Sequence, residues 1–168
     1  FYEGEVATKI DAFMRENGGL ITKKDLKNYR PIWRETLHGN FNEHKIITMG
    51  PPSSGGVHII QMLNILENYD LVMMGHNSPT YTALLTESMK YAYADRSKYL
   101  GDPEFFDVPV QSLISKEYAK KIYEKIELNS ITSSDKILPG SELGYESLDT
   151  THFSVADKNG NIVSNTYT

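Results

Sequence analysis

The chain has 168 residues and a formal net charge of −5, with hydrophobic and charged fractions of 39% and 23% that are typical of one globular domain. It contains no cysteine, which excludes disulfides, thiolate metal sites and a cysteine nucleophile. The acidic balance argues against nucleic-acid partners, and no apolar run approaches the roughly 20 residues of a membrane span.

Both termini have the character of cuts within a longer polypeptide. Phe1 opens directly into a helical pattern, without the basic and apolar regions of a signal peptide. Thr168 stands inside a strand-like run, where unpaired backbone groups would be costly. We therefore expect the chain to be a fragment of a longer protein.

The first third of the chain predicts a helix, a short turn and then two strands. The helix is expected over residues 3–17, and Thr22 is expected to cap a short turn that Pro31 ends. Strands are expected over residues 32–38 and 45–49, joined by a turn at residues 39–42.

Three further helices are expected in the middle of the chain. The first covers residues 57–68, after a bend rich in proline, serine and glycine at residues 50–56. Ser78 and Ser115 are the expected N-caps of helices that end near residues 100 and 126. The helix over residues 57–68 is expected to bury Ile59, Ile60, Leu63, Ile65 and Leu66.

The chain ends in a hairpin pattern. Residues 127–148 lack periodicity and predict a loop, and strands are expected over residues 151–156 and 162–168. The expected fold class is therefore a mixture of helix and strand (α/β, or α+β), with the helices early and a β-hairpin at the end.

Two registers are open to this hairpin. It can turn through Asn159-Gly160 alone, or through the three-residue loop 158–160 with Gly160 in the left-handed conformation. The three-residue loop places Thr150 opposite Thr168, with Cβ atoms about 4.5–5.5 Å apart. The two-residue turn puts the two hydroxyls on opposite faces, and the residues alone do not decide between the registers.

Thr150 is the candidate nucleophile. A threonine hydroxyl needs a base, and a threonine at a chain start carries one in its own α-amine, whose pKa is about 7.7–8.0. That amine is free only after the Asp149–Thr150 bond has been cut. The Thr150 hydroxyl could make this cut itself, by attacking the preceding carbonyl and leaving an ester for water.

Ordered motifs extend this interpretation to a family. Residues 150–155, followed by Gly160-Asn161, Val163-Ser164, Thr166 and Thr168, resemble the signature that begins the small subunit of the γ-glutamyltranspeptidase family. Two upstream parts of the chain are similar to that family's large subunit. They are residues 51–56 with 58–59 and 63–67, and residues 90–97 with 99–103.

The resemblance implies an N-terminal-nucleophile hydrolase with an αββα sandwich, made as a zymogen that cleaves itself. Residues 1–149 are then the C-terminal segment of the large subunit, and residues 150–168 are the N-terminal hairpin of the small subunit. The implied chemistry is transfer and hydrolysis of the γ-glutamyl group of glutathione and related amides, through a γ-glutamyl-threonine intermediate. The implied acceptors are water, amino acids and peptides, the implied partners are the remaining segments of the precursor, and no cofactor is implied.

The resemblance also implies roles for three threonines. Thr150 is the nucleophile, and Thr168 matches the family's second threonine, whose hydroxyl bonds to the first, so the three-residue loop is preferred. Thr166 has a supporting role. The family's substrate arginine, oxyanion glycines and carboxylate-binding serines lie outside this chain, so we expect the isolated fragment to be inactive.

Several other candidates receive structural interpretations. His152 is expected to make a structural hydrogen bond rather than act as a base, because the α-amine suffices. Ser53-Ser54 is expected to form a bend before a helix rather than an anion site. Tyr91, Tyr93 and Tyr99 are expected in the core. No metal site is predicted, because no ligand spacing relates His38, His44, His58 and His76.

Two kinds of alternative function are open: a non-enzymatic role, and an enzyme with another substrate. A family member that does not mature could be a binding or scaffold module, and other relatives act on poly-γ-glutamate or on acylated β-lactams. The resemblance implies a periplasmic or secreted location.

Overall fold

A computed structural model describes residues 1–137 and 151–167 of the chain, and within the latter range it describes only the backbone of 151–154, 162 and 164–167. The chain forms two compact units, Phe1–Glu35 and Thr36–Thr168. Helices come first and a β-hairpin comes last, so the predicted mixture of helix and strand is confirmed.

The first unit contains helices α1 (Glu5–Glu16) and α2 (Lys23–Asn28). A capping box starts α2, because the Thr22 hydroxyl accepts from the Asp25 N–H and the Asp25 carboxylate accepts from the Thr22 N–H at 2.8 Å. The predicted first helix is confirmed, and the predicted turn capped by Thr22 is a short helix, α2. The apolar stripe of α1 is largely uncovered within this unit, where Phe13 is 62% exposed, because two short helices offer little surface to cover it.

The second unit begins with an antiparallel hairpin of β1 (Thr36–Phe41) and β2 (His44–Met49). The predicted turn at residues 39–42 is wrong, since residues 39–41 belong to β1. The turn needs only two residues because Asn42 adopts a positive φ of 50°, which asparagine tolerates well.

Five helices follow in the described part of this unit. They are α3 (Gly55–Leu66), α4 (Leu71–Met74), α5 (Pro79–Tyr99), α6 (Val110–Leu113) and α7 (Lys116–Tyr123). Ser78 and Ser115 cap α5 and α7 as predicted, each accepting a backbone N–H at 3.1 Å. The predicted end of α7 near residue 126 is three residues too late.

Helix α3 lies at the centre of this unit, in contact with β1, β2, α5 and α7. It supplies Ile65 and Leu66 to the main hydrophobic cluster, which also contains Leu84 of α5 and Ile122 of α7. The prediction that Ile59 is buried is wrong, because this side chain is 45% exposed. Ile60, Ile65 and Leu66 are buried as predicted. They share the buried part of the helix with three polar residues, namely His58, Gln61 and Asn64.

Gly56 brings the start of α3 against the end of β2. A Cβ atom at Gly56 would lie 1.8 Å from the Met49 carbonyl oxygen, so only glycine fits this contact. The preceding Ser54 makes no side-chain cap bond to the helix. These contacts agree with a tight bend before α3.

The last elements are a 3₁₀ turn (Ser134–Lys136) and a hairpin of β3 (Thr151–Ala156) and β4 (Ile162–Tyr167). Both predicted strands are confirmed. Among the described residues, no helix combines the length and apolarity needed to cross a membrane.

Candidate functional site

The β3–β4 hairpin has the three-residue loop. Its backbone closes through two hydrogen bonds, from the Asp157 N–H to the Asn161 carbonyl at 3.0 Å and from the Gly160 N–H to the Asp157 carbonyl at 3.1 Å. Gly160 has a φ of +84°, in the left-handed region that this loop requires. Of the two registers open to the sequence, the structure therefore has the longer loop.

Asp157 holds this loop in place. Its carboxylate accepts from the Asn161 side chain at 2.8 Å, and from the backbone N–H groups of Asn159 at 2.8 Å and Asn161 at 3.0 Å. These hydrogen bonds, led by the one from the Asn161 side chain, lower the pKa of Asp157. The ionised carboxylate thus fixes the turn, and the turn fixes the pairing of the strands.

The strand register approaches the predicted nucleophile without reaching it. The outermost described pair is Thr151 with Tyr167, and the next is His152 with Thr166. Thr166 therefore lies in β4, as predicted, with its backbone paired to His152. The other predicted site residues, Asp149, Thr150 and Thr168, lie outside the described residues.

A buried polar cluster, which has no local signal in the sequence, joins three helices. Asp95 of α5 is 5% exposed, and its carboxylate accepts from the Gln61 amide at 2.5 Å and from the Tyr118 hydroxyl at 2.9 Å. Burial raises the pKa of Asp95 against the opposing effect of these two donors. Burial and the nearby Asp95 raise the pKa of Tyr118. The cluster ties α3 and α7 to α5.

His58 lies on the same buried face of α3. Its ring centroid is 5.0 Å from that of Tyr93, and its Nε2 atom has no hydrogen-bond partner in the described part of the chain. Burial, assisted by the positive charge of Arg96, lowers the pKa of His58 to about 4. His58 is therefore a neutral residue of the helical core.

Tyr93, expected in the core, is 46% exposed, whereas Tyr91 packs against the hydrophobic cluster as predicted.

The lowered pKa of His58 predicts a loss of stability in acid. Between pH 6.5 and about 4 the unfolded chain binds a proton at His58 that the folded chain excludes, so stability falls as the pH falls through this range. We expect the difference in unfolding free energy between the parent and a His58→Gln variant to shrink by about 2 kcal/mol from pH 7 to pH 4.5. Urea unfolding of the full-length protein at both pH values measures this.

The same substitution at the exposed His76 controls for the change of residue type. If the parent and His58→Gln lost stability in parallel between pH 7 and pH 4.5, burial of a neutral His58 would be contradicted.

Comparison with known proteins places the chain in a family. The model of the gamma-glutamyltranspeptidase family matches residues 1–168. The glutathione hydrolase proenzyme of Escherichia coli (strain K12) is 49% identical over 168 residues, which are 100% of this chain and 29% of that protein. The acylase ACY 1 proenzyme of Pseudomonas sp. (strain SE83) is 46% identical over 167 residues, covering 99% of this chain and 29% of its own length. The chain thus spans less than a third of these curated relatives.

Solved structures agree with this placement. The crystal structure of Helicobacter pylori gamma-glutamyltranspeptidase matches 89% of this chain and 43% of that chain, with a TM-score of 0.77 and 46% identity. The cephalosporin acylase from Bacillus halodurans matches 98% of this chain and 28% of that chain, with a TM-score of 0.69 and 28% identity. The arrangement of helices and strands therefore confirms the expected N-terminal-nucleophile hydrolase class.

The match of the family model to the whole chain is supported by relatives approaching half identity and by the same arrangement of elements in solved structures. The chain therefore belongs to the γ-glutamyltranspeptidase family.

Proposed function

We propose that the chain is the central part of a γ-glutamyl hydrolase and transferase precursor. Residues 1–149 are the end of its large subunit, and residues 150–168 are the start of its small subunit. The observation that carries the proposal is the hairpin register, whose outermost described pair, Thr151 with Tyr167, lies one residue inside Thr150 and Thr168 in the sequence. The match to curated proenzymes, glutathione hydrolases among them, supports the same division.

Maturation is a self-cleavage at Asp149–Thr150. The Thr150 hydroxyl attacks the Asp149 carbonyl carbon, the C–N bond breaks, and an ester joins the Asp149 carbonyl to the Thr150 side chain. Water then hydrolyses this ester, which releases the Asp149 carboxylate and leaves Thr150 with a free α-amine.

Turnover uses the same hydroxyl with this new base. The α-amine accepts the hydroxyl proton as the oxygen attacks the γ-carbonyl of a γ-glutamyl amide, and it returns a proton to the leaving amine. Water or an acceptor amine then releases the γ-glutamyl group from the threonine ester. The donor class follows from the glutathione hydrolase relative at 49% identity.

Thr168 and Thr166 support the nucleophile in this proposal. Thr168 matches the second threonine of the signature that the chain resembles, whose hydroxyl bonds to that of the first threonine. Thr166 is given a supporting role because it belongs to the same signature. The remaining substrate contacts come from other segments of the precursor, and a periplasmic or secreted location is proposed from family resemblance alone.

The test uses the full-length protein and a γ-glutamyl anilide. We expect release of the aniline with the mature protein, competition by glutathione, and a stronger signal when an acceptor amino acid is added. The isolated 168-residue chain is expected to release none. A folded full-length protein without release would favour a binding or scaffold role, and preference for an acylated cephalosporin would favour the acylase branch.

A further inference from the structure

A buried ion pair on α5 reaches the chain that leads to the proposed cleavage site. Glu87 is 3% exposed, and Lys90 lies one helical turn after it. The Lys90 ammonium donates to Glu87 Oε1 at 2.7 Å and to the Thr132 backbone carbonyl at 2.8 Å. One lysine therefore joins a helix of the core to a residue 42 positions later in the chain.

The segment around Thr132 is held at a second point. After the 3₁₀ turn Ser134–Lys136 comes Ile137, which is 7% exposed. The segment from Thr132 to Ile137 is therefore anchored by a charge-assisted hydrogen bond at one end and by apolar burial at the other. It is the last described segment before the Asp149–Thr150 bond in sequence.

The buried carboxylate keeps the Lys90 ammonium in place. A lysine side chain on an open surface loses rotamer freedom when it makes one contact, and water screens the charge. Here the Glu87 side chain is only 4% exposed and that of Lys90 20%, so their attraction is screened much less. Glu87 Oε2 is buried without a hydrogen-bond partner among the described residues, so the Lys90 charge at Oε1 compensates the carboxylate.

We propose that Lys90 is a positioning residue for self-cleavage, which holds the Thr132 carbonyl and so anchors the chain that runs to the scissile bond. The proposal rests on the proposed function, since it assumes cleavage at Asp149–Thr150. Before cleavage this anchor is covalently continuous with Thr150. After cleavage Asp149 is a chain end and Thr150 starts another chain, so the anchor acts on maturation and not on turnover.

A second lysine, in a more exposed ion pair, offers a control. Lys116 donates to Glu67 Oε1 at 2.5 Å and to the Asn40 backbone carbonyl at 2.9 Å. It therefore has the same two kinds of partner as Lys90, but it holds β1 instead of the segment before the cleavage site. A general loss of stability affects both sites, whereas a loss of positioning is specific to Lys90.

The experiment follows maturation of the full-length precursor in a cell-free pulse, with gel separation of precursor and subunits. A double Glu87→Gln, Lys90→Met variant removes both charges of the ion pair, so no unpaired carboxylate remains buried in the folded protein. The single Glu87→Gln variant keeps an acceptor for Lys90 and its bond to Thr132. Melting temperature and γ-glutamyl anilide activity per mole of small subunit are measured alongside.

We expect the double variant to mature roughly three- to tenfold more slowly, within the range of about 10² that small misplacements of reacting groups cause. Its mature activity should stay within about twofold of the parent, as should the maturation rates of Glu87→Gln and Lys116→Met. Maturation of the double variant at the parent rate, or no more slowly than Lys116→Met or Glu87→Gln, would overturn the assignment. A Thr150→Ala precursor separates the two proposals. If the Thr150→Ala precursor matures, the proposed cleavage mechanism is wrong. If it does not mature while the Glu87→Gln, Lys90→Met variant matures at the parent rate, only the proposed role of Lys90 is wrong.

Discussion

Replacing Thr150 with alanine in the full-length precursor is expected to abolish both maturation and γ-glutamyl transfer. Alanine has no hydroxyl, so it can neither attack the Asp149 carbonyl nor form an ester with the γ-glutamyl group. The protein should remain a single chain, and release of aniline from a γ-glutamyl anilide should fall by at least about 10³-fold. Gel analysis and the anilide assay measure the two effects separately.

Two other variants serve as controls for this result. Thr150→Ser keeps a hydroxyl and should retain part of both activities. Thr151→Ala removes the same residue type one position along β3 and should still mature. If Thr150→Ala matured normally, or if Thr151→Ala were the variant that blocked cleavage, Thr150 would not be the nucleophile.

Replacing Gly56 with alanine is expected to cause the largest loss of stability among single methyl additions to the start of α3. The new Cβ would lie 1.8 Å from the Met49 carbonyl oxygen and 2.9 Å from the Met49 carbonyl carbon. The backbone of α3 or of β2 would therefore have to move. Overpacking of this kind costs about 3 kcal/mol when the clashing atom cannot turn aside. We expect this decrease in the unfolding free energy of the full-length protein, measured by urea denaturation.

Gly55 provides the control, because it is the neighbouring glycine in the same helix. A Cβ at Gly55 would have Ser53 Oγ as its nearest neighbour, at an ordinary contact distance of 3.7 Å. Alanine also favours helix by up to about 1 kcal/mol relative to glycine, so Gly55→Ala should be neutral or slightly stabilising. Equal losses for the two variants would show that the approach of α3 to β2 does not require glycine at position 56.

Local chemistry made much of the fold predictable from the sequence. The caps at Thr22, Ser78 and Ser115 depend on a hydroxyl and a backbone N–H within three residues, so they are visible in the sequence. The prediction that Ile59 is buried is wrong, because the elements that cover α3, namely α5 and α7, are distant in the sequence. Gln61 is buried where the Asp95 carboxylate accepts its hydrogen bond.

The candidate site, like the fold, is only partly predictable from the sequence. Asn159-Gly160 predicts a turn but leaves two registers open, and the hydrogen bonds of the Asp157 carboxylate accompany the one observed. The contact from Lys90 to Thr132 has no local signal, because it joins residues 42 positions apart and one partner is a backbone carbonyl. Long-range polar contacts of this kind become visible only in the folded chain.

The central claim is that Thr150 becomes the first residue of a catalytic subunit, and N-terminal sequencing of the small subunit from the full-length protein tests it most directly. The predicted result is a single sequence beginning Thr150-Thr151-His152-Phe153-Ser154. A subunit that began at any other residue, or an active protein that remained one uncut chain, would contradict it.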